Sequence, residues 1–188
     1  MNKTRIAFIE NHDSFSHNIV DYLRRITPEV IVFDHAQTPC LEQVSHLVLG
    51  PGPGTPRESG RLMNWLESAI ESSLPILGIC LGHQALGEFF GSSLSRAKQA
   101  VHGEVHMICH TGERLFKGFF ESTTRVTRYH SLVLEETPKD FIRDAWTKSG
   151  EIMAISHQTK PIFGIQFHPE SFLSEHGLLM LQNFLKYG

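Results

Sequence analysis

The chain has no apolar run long enough to cross a bilayer, so nothing in it reads as a membrane span. Cysteine is scarce: Cys40, Cys80 and Cys109 form an odd-numbered set at wide spacings. Such a set argues against a disulfide framework and for reduced thiols. A surplus of positive charge is missing too, and the net charge of -3 gives no electrostatic footprint for nucleic acid. The opening MNKTRIAFIENHDSF meets Glu10 and Asp13 before a signal-peptide core can form. These absences predict a cytoplasmic protein. Internal repeats, low-complexity tracts and linker-like stretches are also lacking. The 188 residues are therefore expected to fold as a single domain, 1–188, around one sizeable core.

What is present begins with a change of period. RIAFI (5–9), EVIVF (29–33), HLVLG (46–50) and PILGI (75–79) are short continuous apolar runs, the pattern of strands buried on both faces. Between them apolar residues recur at helical spacing: Ile19, Tyr22, Leu23 and Ile26, then Leu62, Trp65, Leu66, Ala69 and Ile70. A third helix is predicted from about Gly82 to Phe90. Strand and helix in turn predict an α/β fold, a central mostly parallel sheet with helices on both faces. From Ser92 to about Ile165, short β-branched and aromatic runs such as RVTRY and IMAIS predict a small antiparallel region at one side. Leu178, Leu181 and Leu185 predict a closing helix.

In doubly wound sheets ligands sit outside the carboxyl ends of the strands. Two glycine-rich turns fall there, GPGPGTP (50–56) and GICLG (78–82). Gly78-x-Cys80-x-Gly82 has the spacing of a nucleophile elbow with cysteine in place of serine. At a helix N-terminus the dipole and unpaired N–H groups favour thiolate over thiol, and the Leu81 N–H points toward an oxyanion. A small buried structural cysteine fits the same spacing.

GIQFHPES (164–171) supplies what a thiol nucleophile needs. His168 ends an apolar strand, Pro169 stops it and Glu170 follows. Residues i and i+2 of an extended chain face the same way about 6–7 Å apart. Glu170 can thus hold one ring nitrogen and leave the other for Cys80. A solvated His–Glu pair at a strand end is the alternative. Gly52, in a stiff Gly-Pro turn, can offer a second oxyanion N–H. A phosphate loop is the rival there, but the Lys-Ser/Thr ending of a P-loop is missing. Gln84 lies four residues after Cys80, on the same helix face, where it can hold a polar substrate or cap local backbone. His102, His106 and His110 beside Cys109 alternate as in a strand, which spreads them, so no metal site is expected. His83 reads as a partner-facing or satisfied histidine.

GPGPGTP, GICLGHQALG, RYHSLV and GIQFHPES, in that order, resemble the class I (triad) glutamine amidotransferases, from Ile6 over essentially the whole chain. ENHDSFSHN resembles the opening of the small glutaminase subunits of anthranilate and aminodeoxychorismate synthases. The resemblance implies a flavodoxin-like fold and a role for each matching residue. Cys80 would attack the side-chain amide of L-glutamine. His168 would protonate departing ammonia and then activate water, with Glu170 orienting it. The N–H groups of Gly52 and Leu81 would form the oxyanion hole. Gln84 and the backbone of Ser131 and Leu132, beside Gly52, Pro53 and Gly54, would hold the amino-acid end.

Ammonia would then pass to a larger chorismate-binding synthase subunit (component I) in a hetero-oligomer, which raises the glutaminase activity. No cofactor is expected. VTRYHSLVLE, GEIMAISH and FLSEHG look more like the subunits serving 4-amino-4-deoxychorismate, on the para-aminobenzoate branch of folate synthesis. The tryptophan-pathway subunit, or one shared by both, is the alternative. A stand-alone γ-glutamyl or cysteine hydrolase and a non-catalytic binding subunit stand behind these. Four departures from the family pattern, Glu10, His17, Gly50 and Glu104, leave the triad untouched.

Overall fold

The structure, a computed structural model, describes residues 4–187; residues 1–3 and 188 of the expected domain lie outside them. The chain runs β1 (Ile6–Glu10), α1 (Ser16–Ile26), β2 (Val30–Asp34), β3 (His46–Leu49), α2 (Leu62–Glu71), β4 (Ile76–Ile79) and α3 (Leu81–Phe89). It continues with β5 (Leu94–His110), β6 (Thr123–Leu134), β7 (Phe141–Thr147), β8 (Ile152–His157), β9 (Ile162–Ile165) and α4 (Gly177–Phe184). A nine-stranded sheet takes the order β2-β1-β3-β4-β9-β8-β7-β5-β6. Pairing is parallel from β2 to β9 and antiparallel from β9 to β6. The antiparallel strands extend the same sheet through β9. Two of them, β5 and β6, run 17 and 12 residues, longer than the short runs their polar-interrupted sequences suggest.

Side chains alternate between the two faces of a strand, and each face builds its own core. Ile6 and Phe8 of β1 join Ile19 and Leu23 of α1 and Met180, Leu181 and Phe184 of α4. Ala7 and Ile9 join Trp65 and Leu66 of α2 and Ala85 and Leu86 of α3. Arg24 and Arg25 sit in the last turn of α1, where cations complement the helix dipole. The buried side of α4 is Gly177, Met180, Leu181, Asn183 and Phe184. Of the expected stripe, Leu181 is buried, Leu185 packs partly buried against the same core and Leu178 is half-buried.

The direction of winding changes between β1 and β3: β1 leads to β2 on one side, and β3 returns on the other. A crevice opens at such a switch. Asn11, Gly50, Cys80 and Gln166 directly follow β1, β3, β4 and β9 at this edge. Among the described residues, no helix is long and apolar enough to cross a membrane.

Candidate active site

Cys80 stands between β4 and α3 with φ 52° and ψ −99°. Backbone in so sparsely populated a region costs about 1–3 kcal/mol and persists only where its surroundings dictate it. They do so here. The Cys80 N–H donates to Ile165 O (2.8 Å), and Cys80 O accepts from Gln84 N–H (3.0 Å). A Cβ on Gly78 would lie 2.7 Å from His83 N, and one on Gly82 2.7 Å from Leu49 Cβ. Both positions must be glycine for the elbow to close. The thiol is buried at the start of α3, where first-turn N–H groups have no intrahelical acceptor.

His168 lies beyond the end of β9, not within it, and is sewn onto β6. Its N–H donates to Thr127 O (3.0 Å) in an isolated antiparallel bridge. Ser174 Oγ donates to His168 O (2.6 Å) and accepts from the Thr127 N–H (2.9 Å). His168 Nδ1 meets Glu170 Oε1 at 2.6 Å, with both side chains 1% exposed. The pair is therefore buried, not solvated. Burial draws the imidazole toward its neutral form, but Cys80 and Glu170 outweigh that and raise its pKa well above the usual 6.5. The rings of Phe15 and Tyr129 pack against it at 5.9 and 5.2 Å.

A cavity of about 150 Å³ brings Gly52, Pro53, Gly54, Gln84, Ser131 and Leu132 together around Cys80, with Tyr129 and His130 completing the wall. Leu81 opens α3 directly after the thiol. Every catalytic and substrate-binding candidate from the sequence is thus placed at or beside one crevice.

Several neighbours escaped the sequence reading. Gln166, fully buried, donates from Nε2 to Cys80 Sγ (3.6 Å) and accepts at Oε1 from Gln84 Nε2 (3.3 Å). Gln84 Nε2 also donates to Leu132 O (3.1 Å). The available signal was an amide inside the apolar run GIQF. Asn11 ties the end of β1 to the turn after β3, donating from Nδ2 to Gly50 O (2.9 Å). ENHDSF gains a physical meaning: Glu10 Oε1 accepts from Asp13 N–H (3.1 Å) and Ser16 Oγ (2.8 Å), and Asp13 Oδ1 accepts from Phe15 N–H (2.8 Å). The folded loop delivers Phe15 to His168.

Gly50 is explained by Phe8, whose ring would lie 2.7 Å from a Cβ there. His83 does not face a partner: it is fully buried against Gly164, and burial above all pushes its pKa down to about 3, so it is neutral. Along β5, His102 meets Tyr129, His106 pairs with Glu104, and His110 stacks on Phe116.

A thiol on a strained elbow, a buried imidazole–carboxylate pair and a small polar cavity thus lie together at the edge of a doubly wound sheet. The chain belongs to the family described as glutamine amidotransferase class-I, whose profile matches residues 7–187. It is 43% identical over 190 residues to aminodeoxychorismate synthase component 2 of Serratia marcescens, covering 96% of this chain and 98% of that one. The aminodeoxychorismate/anthranilate synthase component 2 of Bacillus subtilis is 40% identical, with coverage of 96% and 95%. Bifunctional protein TrpGD of Thermotoga maritima is also 40% identical; 96% of this chain matches, but the chain spans only 32% of that protein. Among solved structures, a Thermotoga maritima glutamine amidotransferase superposes with a TM-score of 0.83, covering 99% of this chain and 98% of that one. At 19% identity that likeness speaks for the fold alone.

Proposed function

We propose that this chain is the glutaminase component of a chorismate-using synthase, hydrolysing L-glutamine to glutamate and passing ammonia to a larger chorismate-binding subunit (component I) in a hetero-oligomer. The observation that carries this reading is the buried 2.6 Å contact of His168 with Glu170, set against the Cys80 elbow. Sγ attacks the side-chain carbonyl carbon of glutamine, and the thiol proton moves to Nε2 of His168, Nδ1 being held by Glu170. The N–H groups of Gly52 and Leu81 stabilise the oxyanion. As the C–N bond breaks, His168 gives its proton to the departing ammonia, a task suited to its raised pKa. Water then gives a proton to the same ring and attacks the thioester. The C–S bond breaks, glutamate leaves and the sulfur regains its proton. Glu170 orients the imidazole and balances its charge. Gln84, Ser131 and Leu132, beside Gly52, Pro53 and Gly54, hold the amino-acid end of glutamine.

Ammonia loses its nucleophilicity once protonated, which is why a directly attached acceptor protein fits this chemistry. The acceptor product is 4-amino-4-deoxychorismate, in keeping with the name of the 43% identical Serratia relative. A second reading, component II of anthranilate synthase or a subunit shared by both pathways, is favoured by the double name of the Bacillus relative. Three free cysteines, one of them the nucleophile, suit the reducing cytoplasm.

The test is steady-state release of ammonia and glutamate by wild type and Cys80→Ala, alone and with each candidate chorismate-binding subunit. Turnover that vanishes in the variant and rises with one subunit supports the reading and names the pathway. No Cys80-dependent turnover with either subunit sinks it.

A further inference from the structure

Arg128 is the one lysine or arginine buried among the described residues, and the chemistry above does not use it. A buried cation is costly unless paired and hydrogen-bonded. Arg128 is both: Nη2 donates to Glu151 Oε2 (2.8 Å), Nη1 to His106 Nδ1 (3.0 Å) and Nε to His130 Nε2 (3.0 Å). His106 in turn meets Glu104 through Nε2 at 3.0 Å. The departure at Glu104 thus lies within this network. Guanidinium groups only donate. His130 Nε2 must therefore accept, which places the proton on Nδ1, and Nδ1 faces Leu132 O at 3.1 Å.

The same carbonyl receives Gln84 Nε2 at 3.1 Å, so it is gripped by two donors. The β-ladder is interrupted here: Leu132 is paired with Arg96 and His130 with Val101, and the register shift between them loops out the intervening stretch of β5 opposite Ser131. At that interruption the strand that walls the cavity is held by side chains as well as by its flanking ladder.

Resting on the glutaminase reading, we propose that Arg128 is a positioning residue for glutamine: it fixes the Nδ1–H form of His130, which clamps the Leu132 carbonyl and sets the Ser131–Leu132 backbone against the amino-acid end of the substrate. Arg128 itself touches no reacting atom. Its removal weakens glutamine binding without disarming the thiol.

The experiment measures glutamine turnover by the protein with its synthase partner for wild type, Arg128→Met, His130→Ala and the double variant, together with the rate at which iodoacetamide alkylates Cys80. Iodoacetamide needs the thiol but not the amino-acid contacts. The expected result is a KM for glutamine raised about tenfold in Arg128→Met, with kcat and the alkylation rate within about twofold of wild type. Because the effect travels through His130, Arg128→Met should add nothing further in the His130→Ala background. An unchanged KM, an equal rise in both backgrounds, or a parallel fall in alkylation each overturns the proposal. Absence of turnover by wild type removes the glutaminase reading and this proposal with it; normal wild-type turnover confines any failure to the proposal. Should Arg128→Met fail to fold, Arg128→Met with Glu151→Met removes both charges and is judged by the same numbers.

Discussion

Cys80, His168 and Glu170 have no slack: each is buried, and backbone contacts fix the thiol and the imidazole that Glu170 holds. Cys80→Ala is expected to lower turnover by at least about 10⁴-fold, measured as ammonia release. Glu170→Gln removes the carboxylate that helps hold the imidazole pKa up. A fall in that pKa, read by NMR titration of the His168 ring, should accompany a loss of about 10²-fold in kcat. An unshifted pKa would show that Glu170 does not act on the ring as described. Gln166→Leu deletes the donor to Sγ; a hydrogen bond contributes about 0.5–1.5 kcal/mol, so kcat should fall between about twofold and tenfold. That Cys80, His168, Glu170 and the cavity-lining residues would gather at one edge was legible because their motifs fall at strand ends. Gln166 and Arg128 were not, since their importance lies in partners remote in sequence, such as Cys80 and Glu151.

Elements, not side chains, decide whether the thiol sits on an elbow. Contact between α3 and β3 leaves no room for a Cβ at Gly82. Gly82→Ala is therefore expected to destabilise the fold by about 3 kcal/mol, read by urea denaturation, with loss of Cys80 reactivity. A fully stable and active variant would mean the turn can open without penalty. The first four strands and three helices were legible within a residue or so at most of their ends, because period and length speak together there. The antiparallel strands were legible only in kind. Their lengths depend on ladders with register shifts, as between β5 and β6, and a bulge leaves no periodic trace. The return of His168 to β6 through a single bridge to Thr127 had no local signal at all.

At the scale of the whole molecule, pH acts on stability through a buried carboxyl on β7. Asp144 on β7 has its pKa raised to about 6, burial outweighing Ser156 and Arg114. The folded state binds this proton more tightly than the unfolded chain does, so its contribution to stability falls as pH rises from about 4 through 6 and is lowest above that. Asp144→Asn should raise stability by about 2 kcal/mol near pH 8 and leave it almost unchanged near pH 4. Thermal melts of both proteins across that range check it, and a gain that does not grow with pH refutes the assignment. The nine-stranded order also has a consequence for how the protein is made. β9 lies in the middle of the sheet, against β4, yet follows β5 to β8 in the chain. During synthesis the ribosome therefore releases Cys80 well before His168, and the flank of β4 waits uncovered until β9 slots in. A nascent chain carries the thiol without its imidazole neighbour; the last strand to arrive seals the sheet, and only the segment beyond it brings His168 onto β6.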